Sequence, residues 1–350
     1  MRHRKSRQEK EAKRRLRSVT PDNCGKVVAR SCYWTVDFLL LYLDACDDRA
    51  FDVPQDGYAL AVQAPELARR IEVGPEPGQF ASNLERASSR VLSYAVFGSC
   101  CRAAGRLSEA EAALGLASDL AQGQEIEIEA QAELTRRSAV LLLQQDHPEA
   151  NVQIERAVEL SRRASYRAGL ADALQLRGLA RIYGGAKAGA SDLVEAMCHA
   201  DLKTERGRRN FSGAVQNLCF AATQQAVTLQ EQEQAYKMLQ TVKEMMARQP
   251  KSVRKMKVYW TEGLLLHNLG VSRHAARRLI KARQGFRELG QYADFALASF
   301  DLAAVYRDDA DSRALDELVA ETCRIVAEES GEPRLLEMLR PWRREPAAGG

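Results

Sequence analysis

Aromatic side chains are scarce in this 350-residue chain, at 6% of positions with only three tryptophans. Alternating Val, Ile and Thr runs are missing too, which removes the pattern of a half-buried strand. Alanine and leucine fill the space, the residues that cost least in a helix. The fold class read from composition is therefore all-α. No Cys-x-x-Cys pair occurs among the eight cysteines, which argues against a structural zinc site or a redox dithiol. Lone cysteines at apolar helix positions suit small buried hydrophobes in a reducing compartment. The most apolar run, Val36 to Leu43, is about eight residues long and contains Asp37. A bilayer span needs roughly 20. Residues 1–18 are almost all charged and hold no apolar core of a secretory signal. These absences predict a soluble, cytoplasmic chain without a membrane partner.

Catalytic patterns are missing as well. There is no GxxxxGK[ST] loop, GxGxxG turn, HExxH or GxSxG. Five histidines are dispersed, and Cys198-His199-Ala200-Asp201 is a lone cluster that would need distant ligands to hold a metal. No catalytic residue, cofactor or metal site is expected, and the chain reads as a non-enzyme.

Charge is distributed unevenly. Residues 1–18 carry nine Lys/Arg against Glu9 and Glu11, whereas the rest holds 42 basic and 45 acidic residues. A mildly acidic body thus bears a basic tail. From Lys243 to Arg287 there are twelve Lys/Arg and only two acids, and from Asp301 to Glu337 eleven acids face four bases. Such neighbouring blocks neutralise each other or pair between molecules, so a homo-oligomer is one possible partner state.

A periodic signal organises the remainder. Gly98, Ser138 and Gly178 are 40 residues apart, as are Gly263 and Ala303. Ala110, Ala150, Ala190, Ala235 and Ala275 follow the same beat, with steps of 40, 40, 45 and 40. Leu114, Ile154, Val194, Leu239 and Leu279 stand four residues further on, and Ala117, Ala157, Met197, Val242 and Ala282 seven further. An i, i+4, i+7 stripe is one face of a helix. Small residues sit where two helices approach closely, and Gly105 and Gly270 suit the turn that ends a first helix. Each hairpin is too small to bury its own apolar face, so stacking must complete the core. The unit near Val215–Val242 is out of step, with Cys219 or Thr223 as its small marker.

Tyr94, Gly98, Gly105, Leu107, Ala110, Leu114 and Ala117, and again Tyr259, Gly263, Gly270, Ala275, Leu279 and Ala282, resemble the tetratricopeptide repeat family. The period exceeds the family's usual value of roughly 34, and looks like its long-period variants in kinesin light chains and bacterial signalling regulators. The resemblance implies a right-handed superhelical solenoid of about six hairpins. The domain plan is a basic disordered tail at 1–18, an irregular helical cap and linker at 19–80, the repeat domain at 81–340, and a disordered tail at 341–350.

By the same resemblance, the first helices line a concave groove, through positions three before and one, four and five after the marker. The residues selected are Arg102, Thr135, Leu142, Gln175, Leu179, Ile182, Tyr183, Trp260, Leu264, His267, Asn268, Phe300 and Arg307, with Ala95, Ser99, Ala139, Leu143 and Ala304 beside them. This apolar and aromatic stripe favours an amphipathic helix or extended peptide, or else packs against its own neighbours or a terminal segment of the chain. The Lys and Asn clamp of chaperone-tail-binding members is missing. The implied role is a non-catalytic scaffold for a protein or peptide partner, in a bacterial signalling or transcriptional setting. The alternative is a nucleic-acid-associated protein, with phosphate contacts from Arg2, Arg4, Lys5, Arg7, Arg14, Arg15, Arg17, Lys251, Arg254, Lys255 and Lys257.

Overall fold

The computed structural model describes residues 10–73, 82–186, 188–224, 228–247, 250–329 and 335–337. Among them there is no strand. After α1 (Cys24–Val28) and a 3-10 turn (Ser31–Tyr33) come α2 (Val36–Asp52), α3 (Pro54–Ala61) and α4 (Ala64–Val73). Six hairpins follow among the described residues. They are α5 (Asn83–Ala103) with α6 (Leu107–Gln122), α7 (Ile128–Gln144) with α8 (Ala150–Arg163), and α9 (Arg167–Tyr183) with α10 (Gly189–His199). Then come α11 (Glu205–Gln224) with α12 (Leu229–Met245), α13 (Val253–Asn268) with α14 (Ser272–Glu288), and α15 (Tyr292–Asp308) with α16 (Ser312–Glu329). The chain divides into two compact units, Met1–Phe211 and Ser212–Gly350. That boundary lies inside α11.

The small markers bring the two helices of a hairpin together. A Cβ on Gly98 would lie 2.8 Å from Leu114 Cγ, and one on Gly263 2.7 Å from Leu279 Cγ. The chain then reverses through Gly105 and Gly270, whose φ of 81° and 76° is open to glycine at little cost. Stripe residues such as Ala110, Leu114, Ala117, Ile154, Leu239 and Ala282 are buried, as their spacing predicts. The third hairpin departs by one residue. Gly189, Leu193 and Ala196 are buried there in place of Ala190, Val194 and Met197, and Val194 is exposed. A second glycine explains the slip: a Cβ on Gly189 would come 2.5 Å from Gly178 O, so the two backbones meet directly. In the fourth hairpin Cys219 is the marker, its Sγ–H donating to Ala235 O at 3.2 Å. Sixteen residues separate this pair, against twelve between Gly98 and Ala110, so four residues are added between the packed positions.

The N-terminal segment packs into the first unit. Thr35 caps α2 by accepting from Phe38 N–H, and α2 buries Phe38, Leu39, Tyr42, Leu43 and Cys46 on one face. That face meets Val96 and Cys100 of α5. The Cys100 thiol donates to Cys46 O at 3.7 Å, and Tyr42 Oη–H donates to Leu60 O at 2.6 Å. Residues 10–16, expected in a disordered tail, are helical instead. Ala12 is buried with α2, and Leu16 packs against the same cluster, because apolar residues break the run of charge. The expected tail segments 1–9 and 341–350 lie outside the described residues, as does most of the expected linker.

Candidate functional site

In the first unit, helix α2 carries an acidic row that meets cations of the first helices. Arg137 of α7 donates to both carboxylate oxygens of Asp47, with Nη1 to Oδ1 at 2.7 Å. Arg209 of α11 reaches Asp48 and stands over the Phe51 ring at 4.7 Å. Arg206 bonds Glu133, Asp172 at 2.6 Å and Tyr166 Oη, and Tyr166 Oη–H donates to Glu133 at 2.9 Å. Burial pushes Glu133 and Asp47 toward protonation, but the facing guanidinium groups outweigh it and hold both below the ordinary carboxylate range. Asp48 goes the other way, with burial pushing it up to about 6 despite Arg209. A cavity of about 170 Å³ between α2 and the repeats is walled by Leu40, Leu43, Leu92 and Val96 on one side. Asp44, Asp47, Glu129, Glu133, Arg137, Tyr166 and Arg206 form its polar side.

Sequence-selected stripe residues of this unit fall into three groups. Arg102 is half-buried, donates to Gln144 Oε1 at 3.3 Å, and is pushed down to about 10 by burial and the neighbouring Arg136. Leu142, Gln175 and Leu179 are half-buried, Gln175 donating to Ala171 O. Thr135, Ala95, Ala139 and Ile182 are buried. Tyr183 is 71% exposed. The chain's own α2 thus supplies part of what this unit's first helices touch.

In the second unit α13 and α15 run side by side and are tied across one face. Trp260 Nε1–H donates to Asp301 Oδ2 at 2.6 Å, and His267 Nε2 stands 3.4 Å from Asp308 Oδ2. Trp260, His267, Phe300 and Ala304 are half-buried there, Asn268 and Arg307 are exposed, and Leu264 is buried. Asn268 donates to Thr223 O at 3.2 Å, and Arg307 approaches Asp308 at 3.4 Å. Spacing missed Asp301, which burial pushes up to about 6 against the opposing Trp260 bond.

The basic residues are largely engaged. Arg14 and Arg15 both pair with Glu11, Lys251 meets Glu288, Lys257 stands 3.4 Å from Asp294, and Lys255 donates to Ala247 O. Arg254 is half-buried and Arg17 exposed. Arg2, Arg4, Lys5 and Arg7 lie outside the described residues. His199, Ala200 and Asp201 of the Cys198–Asp201 cluster border an open cavity of about 540 Å³ with Arg167, Lys203 and Asn210. Among the described residues no group of three or more His, Cys, Asp or Glu side chains is placed to hold a metal ion. No helix of the described residues is long and apolar enough to cross a membrane.

No family model and no curated protein sequence matches the chain. Solved structures do. The chain is similar to a Rap protein complexed with competence and sporulation factor, at 13% identity over 86% of this chain and 85% of that one, with a TM-score of 0.58. It is also similar to the apo form of the quorum sensor NprR from B. thuringiensis, at 12% identity, 87% of each chain and a TM-score of 0.49. A signal-transduction ATPase with a tetratricopeptide repeat sensor from Pyrococcus horikoshii gives 14% identity, 95% of this chain, 54% of that one and 0.49. At such identities the first likeness speaks to fold. Taken with the six hairpins among the described residues and the close packing at their small-residue markers, it shows that the chain has the all-α, helical-repeat fold of tetratricopeptide-type solenoid proteins.

Proposed function

We propose that the chain is a non-catalytic interaction module that receives a polypeptide partner on the α13–α15 face of its second unit. The observation that supports this is the half-covered state of Trp260, His267 and Phe300 on one face, with Asn268 and Arg307 exposed beside them. Aromatic groups in a well-packed interior would be covered, whereas a partly open aromatic face with a polar rim is how polypeptide segments are held. In the first unit the equivalent side is met by α2 and closed by ion pairs such as Arg137–Asp47. A segment from outside therefore finds less room there.

The Rap structure was solved in complex with a factor, which favours a partner-binding role, and a setting in bacterial regulation is proposed on that likeness alone. Affinity capture with the full chain, nuclease-treated, tests the reading against Phe300→Ser and Gln284→Ser, the latter at an exposed position of α14. A discrete protein partner kept by wild type and Gln284→Ser and lost by Phe300→Ser is the expected result. Equal capture by all three refutes it.

A further inference from the structure

Asp301 is a carboxylate on the α13–α15 face of the second unit that pairs with no cation among the described residues. It sits on α15 next to Phe300, and its Oδ2 accepts from Trp260 across the gap to α13 at 2.6 Å. Its Oδ1 accepts no hydrogen bond from the described residues, and the residue is half-buried. The charged groups around it are committed elsewhere. On α15 itself Asp294 takes Lys257, and Asp308 takes His267 and Arg307. On α13 Glu262 is held by Lys243 and Arg278, and on α14 Arg283 turns to Glu321. On α16 Arg313 and Arg324 pair with Glu317 and Glu328. Burial and the indole bond are what act on Asp301, and burial raises its proton affinity. A largely desolvated carboxylate with one neutral donor is costly to keep ionised.

We propose that Asp301 receives the ammonium or guanidinium group of a lysine or arginine side chain from the partner polypeptide, whose aliphatic stem lies against Trp260 and Phe300. The chemistry fits on three counts. A cation supplies the missing counter-charge, the aromatic rings accept an alkyl stem and attract a cation, and Oδ1 gives it a hydrogen-bond acceptor. The Trp260 bond fixes the carboxylate before the partner arrives, so less order is lost on binding. This assignment rests on the α13–α15 face being the partner site.

The test uses the full chain and amidated, acetylated hexapeptide pools, each with Arg, Lys, Gln, Leu or Glu fixed at one position. Wild type should retain an Arg or Lys pool about tenfold better than the matching Gln pool. The contrast between Arg and Lys pools says which cation is preferred. Asp301→Asn, which keeps shape and can still accept from Trp260, should erase the preference, while the exposed Asp309→Asn should keep it. Pools that bind without preferring a cation, or a preference that survives Asp301→Asn, overturn the inference but leave the face intact as a partner site. If no pool binds, the partner reading fails with them, and the Trp260 indole N–H resonance decides the inference alone. That resonance is assigned by its loss in Trp260→Phe. In wild type, acetyl-arginine methylamide should shift it and lower its pH midpoint; an unmoved resonance overturns the inference.

Discussion

Replacing Arg137 with alanine should cost the chain about 3 kcal/mol at neutral pH, at the lower end of what breaking a buried pair costs. The Arg137 side chain is 4% exposed and donates through both Nη atoms to Asp47. Two charge-assisted bonds disappear, and Asp47 is left buried with Arg209 and Arg136 as its nearest opposite charges. Glu133 suffers less, because Arg136 and Arg206 still hold it. The dependence on pH has a definite sign. In wild type, burial raises Asp47 but Arg137 outweighs it and keeps the group below its ordinary value. The pair's stabilisation is therefore present above the ordinary carboxylate range near pH 4, and is lost as pH falls through the depressed value. Without Arg137 burial dominates, and the same group destabilises the fold at neutral pH. Urea unfolding followed by far-ultraviolet circular dichroism measures both effects. Arg137→Met with Asp47→Leu should recover most of the loss, since an apolar pair of similar volume replaces a buried ion pair at little cost. A loss for Arg137→Ala below about 1 kcal/mol, the scale of an exposed pair, or one that does not shrink toward pH 4, would refute the reasoning.

Gly98→Val should destabilise by about 1–3 kcal/mol, because its Cβ meets Leu114 Cγ at 2.8 Å and overpacking is relieved only by moving a helix; urea midpoints read this, and an unchanged midpoint contradicts the close approach. Asp301 has its folded-state value raised to about 6 by burial, so it favours folding at acid pH and ceases to as pH rises through 6. Asp301→Asn should accordingly raise stability at pH 7.5 by on the order of 2 kcal/mol, with about half of that gain left at pH 5 and almost none at pH 3, below the ordinary carboxylate value; equal gains at pH 7.5 and pH 3 would contradict that. A thiol reagent on the native chain should modify Cys32 and Cys198, which are exposed, and spare the buried Cys24, Cys46, Cys100, Cys101, Cys219 and Cys323 until denaturant is added. Burial also pushes Cys101 and Cys219 up to about 12, which withholds their thiolates.

The hairpins were legible because close helix contact restricts residue size at a fixed spacing. Gly98 and Gly263 have little freedom, and neither do the alanines and leucines they face. Two details escaped the same logic. Ala190 fits the forty-residue beat, but a backbone contact between Gly178 and Gly189 draws the third hairpin one residue out of step, and only the packed pair reveals it. Cys219 and Thr223 are both small, and the choice fell to whichever met Ala235. The polar interior was less legible still. Arg137, Arg177 and Glu262 each precede a marker, and Arg137 and Glu262 are buried and Arg177 half-buried, although their charge alone suggests a solvated face. Arg137 is satisfied by Asp47, 90 residues away, so no local pattern pairs them. The face residues were selected by register alone, which cannot tell half-buried Trp260 and Phe300 from buried Thr135, Ile182 and Leu264, because the depth of each depends on what its neighbours cover. Register also passed over Asp301, whose interest lies in the lack of a cation and not in its spacing.

A photo-crosslinking amino acid placed at Asn268, exposed on the α13–α15 face, and separately at Gln284, exposed on α14, tests most directly where a partner is received. Irradiation of living cells should attach one discrete polypeptide through position 268 and none through position 284. Absence of any product from 268, or the same product from both, would contradict a partner site on that face.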